Sequence, residues 1–195
     1  MSRRPRRRVR SLRRPVPLGL ELRLWPAAAD RAALAAWPAE PLAIDFMVAA
    51  AGTVTLAIGE QVVAYRRGQL VPLLPGEAPP ADAAVPIPEY LPAFADALAA
   101  VLPWLEAPGG PAAGSRWAGM AANSAGLGFE AAAGGVEVAY RESVGGAPIY
   151  RARLPADQAA RVIRAALHGY VAQLLAVNPR LREHPAVSEL IARLR

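Results

Sequence analysis

Leu20, Leu22 and Leu24 alternate with Glu21 and Arg23, a period of two that predicts a strand with one buried face over residues 19–25. A short helix is expected from Asp30 to Trp37, ended by Pro38. Leu42, Ile44, Phe46 and Val48 again alternate with Ala43, Asp45 and Met47, a second half-buried strand. Residues 53–58 and 61–66 then flank Gly59-Glu60, a two-residue loop with glycine first that predicts a hairpin. Pairing Ile58 with Gln61 sets Leu56 opposite Val63 and Val54 opposite Tyr65, all on one face. Residues 69–74 can add a strand, at an edge because Pro72 has no N–H to donate.

Pro75, Pro79, Pro80, Pro86 and Pro88 make residues 75–88 a loop. Leu91, Phe94, Leu98, Val101 and Leu105 recur at helical spacing, with Pro92 in the first turn and Pro103 ending or kinking the helix. Residues 107–114 read as a flexible link, and Trp117 as part of a Gly/Ala loop. Residues 127–133 and 136–142 form a hairpin around Gly134-Gly135, with Phe129 opposite Tyr140 and Ala131 opposite Val138. Glu130, Glu137 and Arg141 then face the other way. A three-residue bulged loop with Gly146 left-handed sets Tyr140 opposite Tyr150 and Glu137 opposite Arg153. From Pro155 a long helix buries Ala159, Ile163, Ala166, Leu167, Tyr170, Val171, Leu174 and Val177, and turns Arg161, Arg164 and His168 outward. Asn178-Pro179 closes it, and a last helix spans 185–194.

Residues 58–66 and 133–141 match at five of nine positions at an offset of 75. A duplicated hairpin–strand–helix unit, with halves 42–106 and 126–178, explains the match; so does the reuse of Gly turns and Val/Tyr strands by propensity alone. Either way the expected fold class is α+β: an antiparallel sheet of six to eight strands built from hairpins, with two main helices packed on one face, in a single domain over residues 18–195.

Charge changes the picture at one end only. All 22 basic residues are arginine, and eight of them stand in the first fourteen positions. Without Arg3, Arg4, Arg6, Arg7, Arg8, Arg10, Arg13 and Arg14, fourteen basic residues face sixteen acidic ones, so the formal +6 belongs to a leader expected to be disordered over 1–17. Those eight are the candidate nucleic-acid contacts. With no aromatic among them they could neutralise phosphates but not stack on bases. A solvated tail, or a start codon placed too far upstream, explains them equally well. No apolar stretch next to the arginines makes a secretion signal, and none is long enough to span a bilayer.

The absence of cysteine removes disulfides, thiolate zinc sites and cysteine nucleophiles, and fits a reducing compartment; the cytoplasm is the expected location. The absence of lysine removes the Walker-A lysine and Schiff-base chemistry, and with abundant Ala, Arg, Gly and Pro points to a high-GC bacterium. No G-x-S-x-G elbow, H-E-x-x-H helix or calcium loop occurs, and Gly126-x-Gly128 lacks the third glycine of a dinucleotide site. His168 with Arg161 and Arg164 is the one weak pocket candidate, set against a solvated helix face. His184, ahead of Pro185, reads as a helix cap. No cofactor or metal is expected.

In outline such a chain is similar to the small non-catalytic α+β proteins that serve bacteria as immunity factors or adaptors. The expected function is therefore a protein-binding module whose partner is another protein. The alternative is a nucleic-acid-associated protein acting through its tail, and an enzyme with a site near His168 stands behind both.

Overall fold

A computed structural model describes residues 20–27, 30–39, 51–59, 61–66, 69–73, 83–84, 87–120 and 125–195. The Arg-rich segment 1–17 and the strand expected at 42–48 lie outside the described residues. In chain order the elements are β1 (Leu20–Pro26), α1 (Asp30–Ala36), β2 (Ala51–Ile58), β3 (Gln61–Arg66), β4 (Gln69–Leu73), β5 (Ala83–Ala84), β6 (Ile87–Tyr90) and α2 (Leu91–Leu105). Then follow β7 (Ser115–Met120), β8 (Ala125–Ala132), β9 (Gly135–Arg141), β10 (Tyr150–Leu154), α3 (Ala156–Val177), a 3-10 turn (Pro179–Glu183) and α4 (Pro185–Arg193).

The class is α+β, with antiparallel strands joined by hairpins and two long helices. The strands divide between two ladders. The first runs β1-β2-β3-β4, with β5 on β3 and β6 on β2; the second runs β10-β9-β8-β7. Leu20, Leu22, Leu24, Leu56 and Ile58 fill the inner face of the first, and Leu127, Phe129, Val136 and Val138 that of the second. The helix α2 packs on β7 of the second sheet, and α3 packs along β1 of the first. Both sheets and both helices thus share one continuous apolar cluster that includes Phe94, Leu98, Ile163 and Tyr170. Each fully buried Leu or Phe there contributes about 1.5–3 kcal/mol.

The first hairpin keeps its expected register, Ile58 opposite Gln61 and Leu56 opposite Val63, and Gly59 has the positive φ of +62° that the turn needs. The ladder then stops. Val54 lies opposite Ile87 instead of Tyr65, because β6 takes over that side of β2 while β4 and β5 flank β3. The proline loop therefore contains two short strands. Pro88 sits in β6, which pairs with β2 alone among the described residues, so one side of it needs no donor. Pro72 lies in β4, the terminal strand of its path, as expected.

The second hairpin turns at Ala133-Gly134, not Gly134-Gly135. Ala132 pairs with Gly135, Phe129 with Val138 and Leu127 with Tyr140. A shift of two residues leaves every side chain on its face, so the alternation was right and the register was not. Gly134 supplies the left-handed residue, φ +78°. Gly135 is a strand residue that touches β10: a methyl there would overlap the Leu154 carbonyl oxygen. Gly59 comes first in its loop and Gly134 second, so the residues matched at the 75-residue offset occupy different places in their hairpins.

Tyr140 does lie opposite Tyr150 and Glu137 opposite Arg153. The left-handed residue of that loop is Gly145, φ +74°, in place of Gly146. Pro103 does not end its helix. It lies in the last turn, where losing one N–H costs a single bond, and α2 closes two residues later with Glu106 N–H donating to Leu102 O at 2.9 Å. Residues 107–114 are also tied down: the Trp104 indole N–H donates to Ala112 O at 3.1 Å, and the Arg116 guanidinium lies 5.5 Å from the Trp104 ring centroid. Asn178 caps the 3-10 turn by accepting from Arg180 N–H at 3.0 Å. Its amide donates to Leu34 O at 3.0 Å and Trp37 O at 2.6 Å, which anchors α1.

Candidate interaction surface

Trp117 lies in β7, a strand the sequence pattern hid because Ser115–Met120 is rich in small residues of low strand propensity. It pairs with Gly128, while Gly126 lies opposite Gly119 on one side and Arg141 on the other. These residues point away from the core. The face is floored by glycine for a visible reason. The Trp117 ring lies on Gly126, where an added Cβ would come within 2.7 Å of Cζ2. Arg141 lies across Gly128, where a Cβ would stand 3.0 Å from its Nε. The Arg141 guanidinium is fixed at both ends, one Nη donating to Glu130 and the other to Gly146 O. It is buried, and Trp117 is half-buried. An indole and a guanidinium thus lie over the outward glycines of β8, the guanidinium held by its two hydrogen bonds.

Along β10 the face becomes positive. Glu137 is only 12% exposed and faces two guanidinium groups, Arg153 at 3.1 Å and Arg151 at 3.8 Å, whose side chains are 73% and 66% exposed. Trp117 and Arg151 stand on the outermost strands, about 14 Å apart at the usual strand spacing. On the opposite side of the sheet the Tyr140 and Tyr150 rings stack with centroids 6.0 Å apart. Burial, then the charge of Glu142, pushes the Tyr140 hydroxyl up to about 12 and raises that of Tyr150.

The residues singled out in sequence do not converge. Arg164 is a brace: Nε and Nη2 donate to the two carboxylate oxygens of Glu106 at 2.6 and 2.7 Å, and Nη1 donates to Leu194 O at 2.9 Å. That hydrogen bond holds the Glu106 carboxyl below its ordinary range and the Arg164 guanidinium above its own. Arg161 pairs with Asp157 one turn before it at 3.0 Å, on the surface. His168 is exposed on the outer face of α3. His184 stands at the N-cap of α4 without its side chain capping it; its carbonyl accepts from Ser188 N–H at 2.8 Å, and its ring meets Trp37 edge-on at 5.4 Å. The eight leader arginines lie outside the described residues.

Hollows lie among the described residues. One, of about 40 Å³, lies among α2, α3 and α4, beside Asp96, Tyr170 and Leu190. Another, an open groove of about 480 Å³, runs between the 106–111 loop, the Gly134 turn and the start of α3. His168 lines neither. Trp25, opposite Thr53, and Tyr90, opposite Ala51, are exposed on the outer face of the first sheet. Among the described residues no three His, Asp or Glu side chains group as metal ligands, and no helix is long and apolar enough to cross a membrane.

The seating of Trp117 and Arg141 escaped sequence reading, although one signal was present. Gly126 and Gly128 alternate inside a strand, where small residues on one face mark a close approach from above. No protein-family model matches the chain, and the comparisons with curated proteins and with solved structures return no match.

Proposed function

We propose that this chain is a non-enzymatic, cytoplasmic protein-binding module of a high-GC bacterium, immunity-factor- or adaptor-like, and that it holds its partner on the outer face of the β7–β10 sheet. What supports the reading is the glycine floor. Glycine in a strand costs roughly 0.5–1 kcal/mol relative to alanine, and Gly119, Gly126 and Gly128 all lie on the outer face of this sheet. None of the three packs into the core: at Gly126 the Ala118 carbonyl and the Trp117 ring, and at Gly128 the Arg141 side chain, take the space a Cβ would fill. Tryptophan and arginine dominate binding hot spots, and side chains already fixed lose little entropy when a partner docks.

The test is co-purification from source cells with three forms: the full chain, a version starting at Val16, and Trp117→Ala. A partner should remain on the first two and weaken by roughly thirtyfold on the third, the loss of a hot spot worth about 2 kcal/mol. A partner that tolerates Trp117→Ala and leaves with residues 1–15 would refute the reading. That outcome would support the second one, a nucleic-acid-associated protein working through Arg3–Arg14. It carries a further signature: if all eight arginines contact phosphate, log affinity for duplex DNA falls with log salt at a slope of roughly −7.

A further inference from the structure

We infer that the partner presents an extended acidic segment whose carboxylates stand two residues apart, and that Arg151 and Arg153 grip them along β10. The inference rests on the binding face proposed above and adds the chemistry of what it binds.

The outer face carries three guanidinium groups, on Arg141, Arg151 and Arg153, against the carboxylates of Glu130 and Glu137. Arg141 is consumed internally by Glu130 and Gly146 O. Among the described residues Glu137 alone serves the other two, and one carboxylate cannot neutralise two cations. Nor does it fill their donor sites. Among the described residues Arg153 spends only Nε on Glu137, at 3.1 Å, which leaves both of its terminal nitrogens unspent there. Arg151 approaches to 3.8 Å, an ion pair too long for a hydrogen bond. Both side chains point into solvent, 66% and 73% exposed. A planar fork with open donors matches a carboxylate bidentately.

Spacing narrows the ligand. Arg151 and Arg153 are i and i+2 on one strand, so both leave the same face about 6.8 Å apart. Carboxylates at i and i+2 of an extended chain repeat at that distance; adjacent ones point to opposite sides, and those of a helix do not match it. Glu130 and Glu137 lie in the same cross-strand row and oppose any anion, which confines the attraction to the two arginines and suits two carboxylates better than a continuous phosphodiester chain. The positive strip is also local, since the chain beyond the leader carries more acid than base.

The test measures binding of labelled synthetic peptides to the full chain by fluorescence anisotropy. One peptide alternates Glu and Thr over ten residues; a second has the same composition with its Glu residues in adjacent pairs separated by two Thr (EETTEETTET), so that no two stand two residues apart; a ten-nucleotide single-stranded DNA is the third ligand. The Arg leader attracts all three. The informative quantity is therefore the change caused by Arg151→Ser/Arg153→Ser, in protein whose melting confirms the fold. The alternating peptide should lose about tenfold in affinity, the sum expected from two exposed pairs, and the paired-Glu peptide and DNA less than twofold. Arg151→Lys/Arg153→Lys, which keeps charge and removes the forks, should lose severalfold on the alternating peptide alone. Equal binding of the alternating peptide by wild type and the serine variant overturns the inference, as does an equal loss for both peptides or a loss for DNA. If the inference fails while co-purification still depends on Trp117, the binding face stands and only its acidic ligand is withdrawn.

Discussion

Gly126→Ala and Gly128→Ala are the same chemical change two residues apart on one strand, yet the structure assigns them different outcomes. At Gly126 the new methyl overlaps the Ala118 carbonyl oxygen and comes within 2.7 Å of the Trp117 ring. The carbonyl belongs to the neighbouring strand and cannot move without opening the β7–β8 ladder. Overpacking of this kind costs about 1–3 kcal/mol, offset by the roughly 0.5–1 kcal/mol gained when alanine replaces glycine in a strand. A net loss of about 1–2 kcal/mol follows, or a melting temperature lower by roughly 2–8 °C for a chain of this size. At Gly128 the nearest atom is Arg141 Nε, 3.0 Å away, and the next is its Cδ at 3.4 Å. A side chain can shift, so stability should stay within about 0.5 kcal/mol of wild type while Arg141 loses its fixed position over the strand. Calorimetric melting of both variants measures the difference. Tryptophan emission reports whether Trp117 has been lifted. Two variants of equal stability would refute the overlap read at Gly126, and unchanged tryptophan emission in Gly126→Ala would refute the seating of the indole on glycine, so that the proposed binding face would lose its support.

Two further expectations concern the scaffold. Arg164→Ala removes both hydrogen bonds to Glu106 and the one to Leu194 O, at a cost of about 1–2 kcal/mol after allowing for partial exposure. Because the folded Glu106 carboxyl is held below its ordinary value, its share of that stability is present above the ordinary carboxylate range and is lost as pH falls through the depressed value. Denaturant melts of wild type and variant should therefore differ at pH 7 and converge in acid, and a pH-independent difference would refute the brace. Asn178→Leu strips Leu34 O and Trp37 O of their donor and should cost about 2–3 kcal/mol. Amide exchange should accelerate most in α1, and uniform acceleration would refute a local anchor.

The alternation of Leu20–Leu24, the Gly59 turn and the stripe from Ala159 to Leu174 each fix local structure through nearest neighbours, and each was legible before any coordinates. The faces of β8 and β9 were legible for the same reason, since side-chain direction in a strand follows from parity alone. Register was not. Gly134 and Gly135 carry the same side chain, and only contact with Leu154 shows that one of them turns while the other packs. The strand β7 was hidden because its identity comes from its neighbour β8 and not from propensity. Arg164 and His168 look alike along a helix face; the end of α2 and the carbonyl of Leu194, far off in sequence, turn the first into a brace and leave the second in water. The sequence by itself determined periods, the Gly59 turn and the run of arginines in the first fourteen positions, which depend on residues a few positions apart. The tertiary structure decided which glycines lie beneath Trp117 and Arg141, because that depends on what crosses above a strand from the strands beside it.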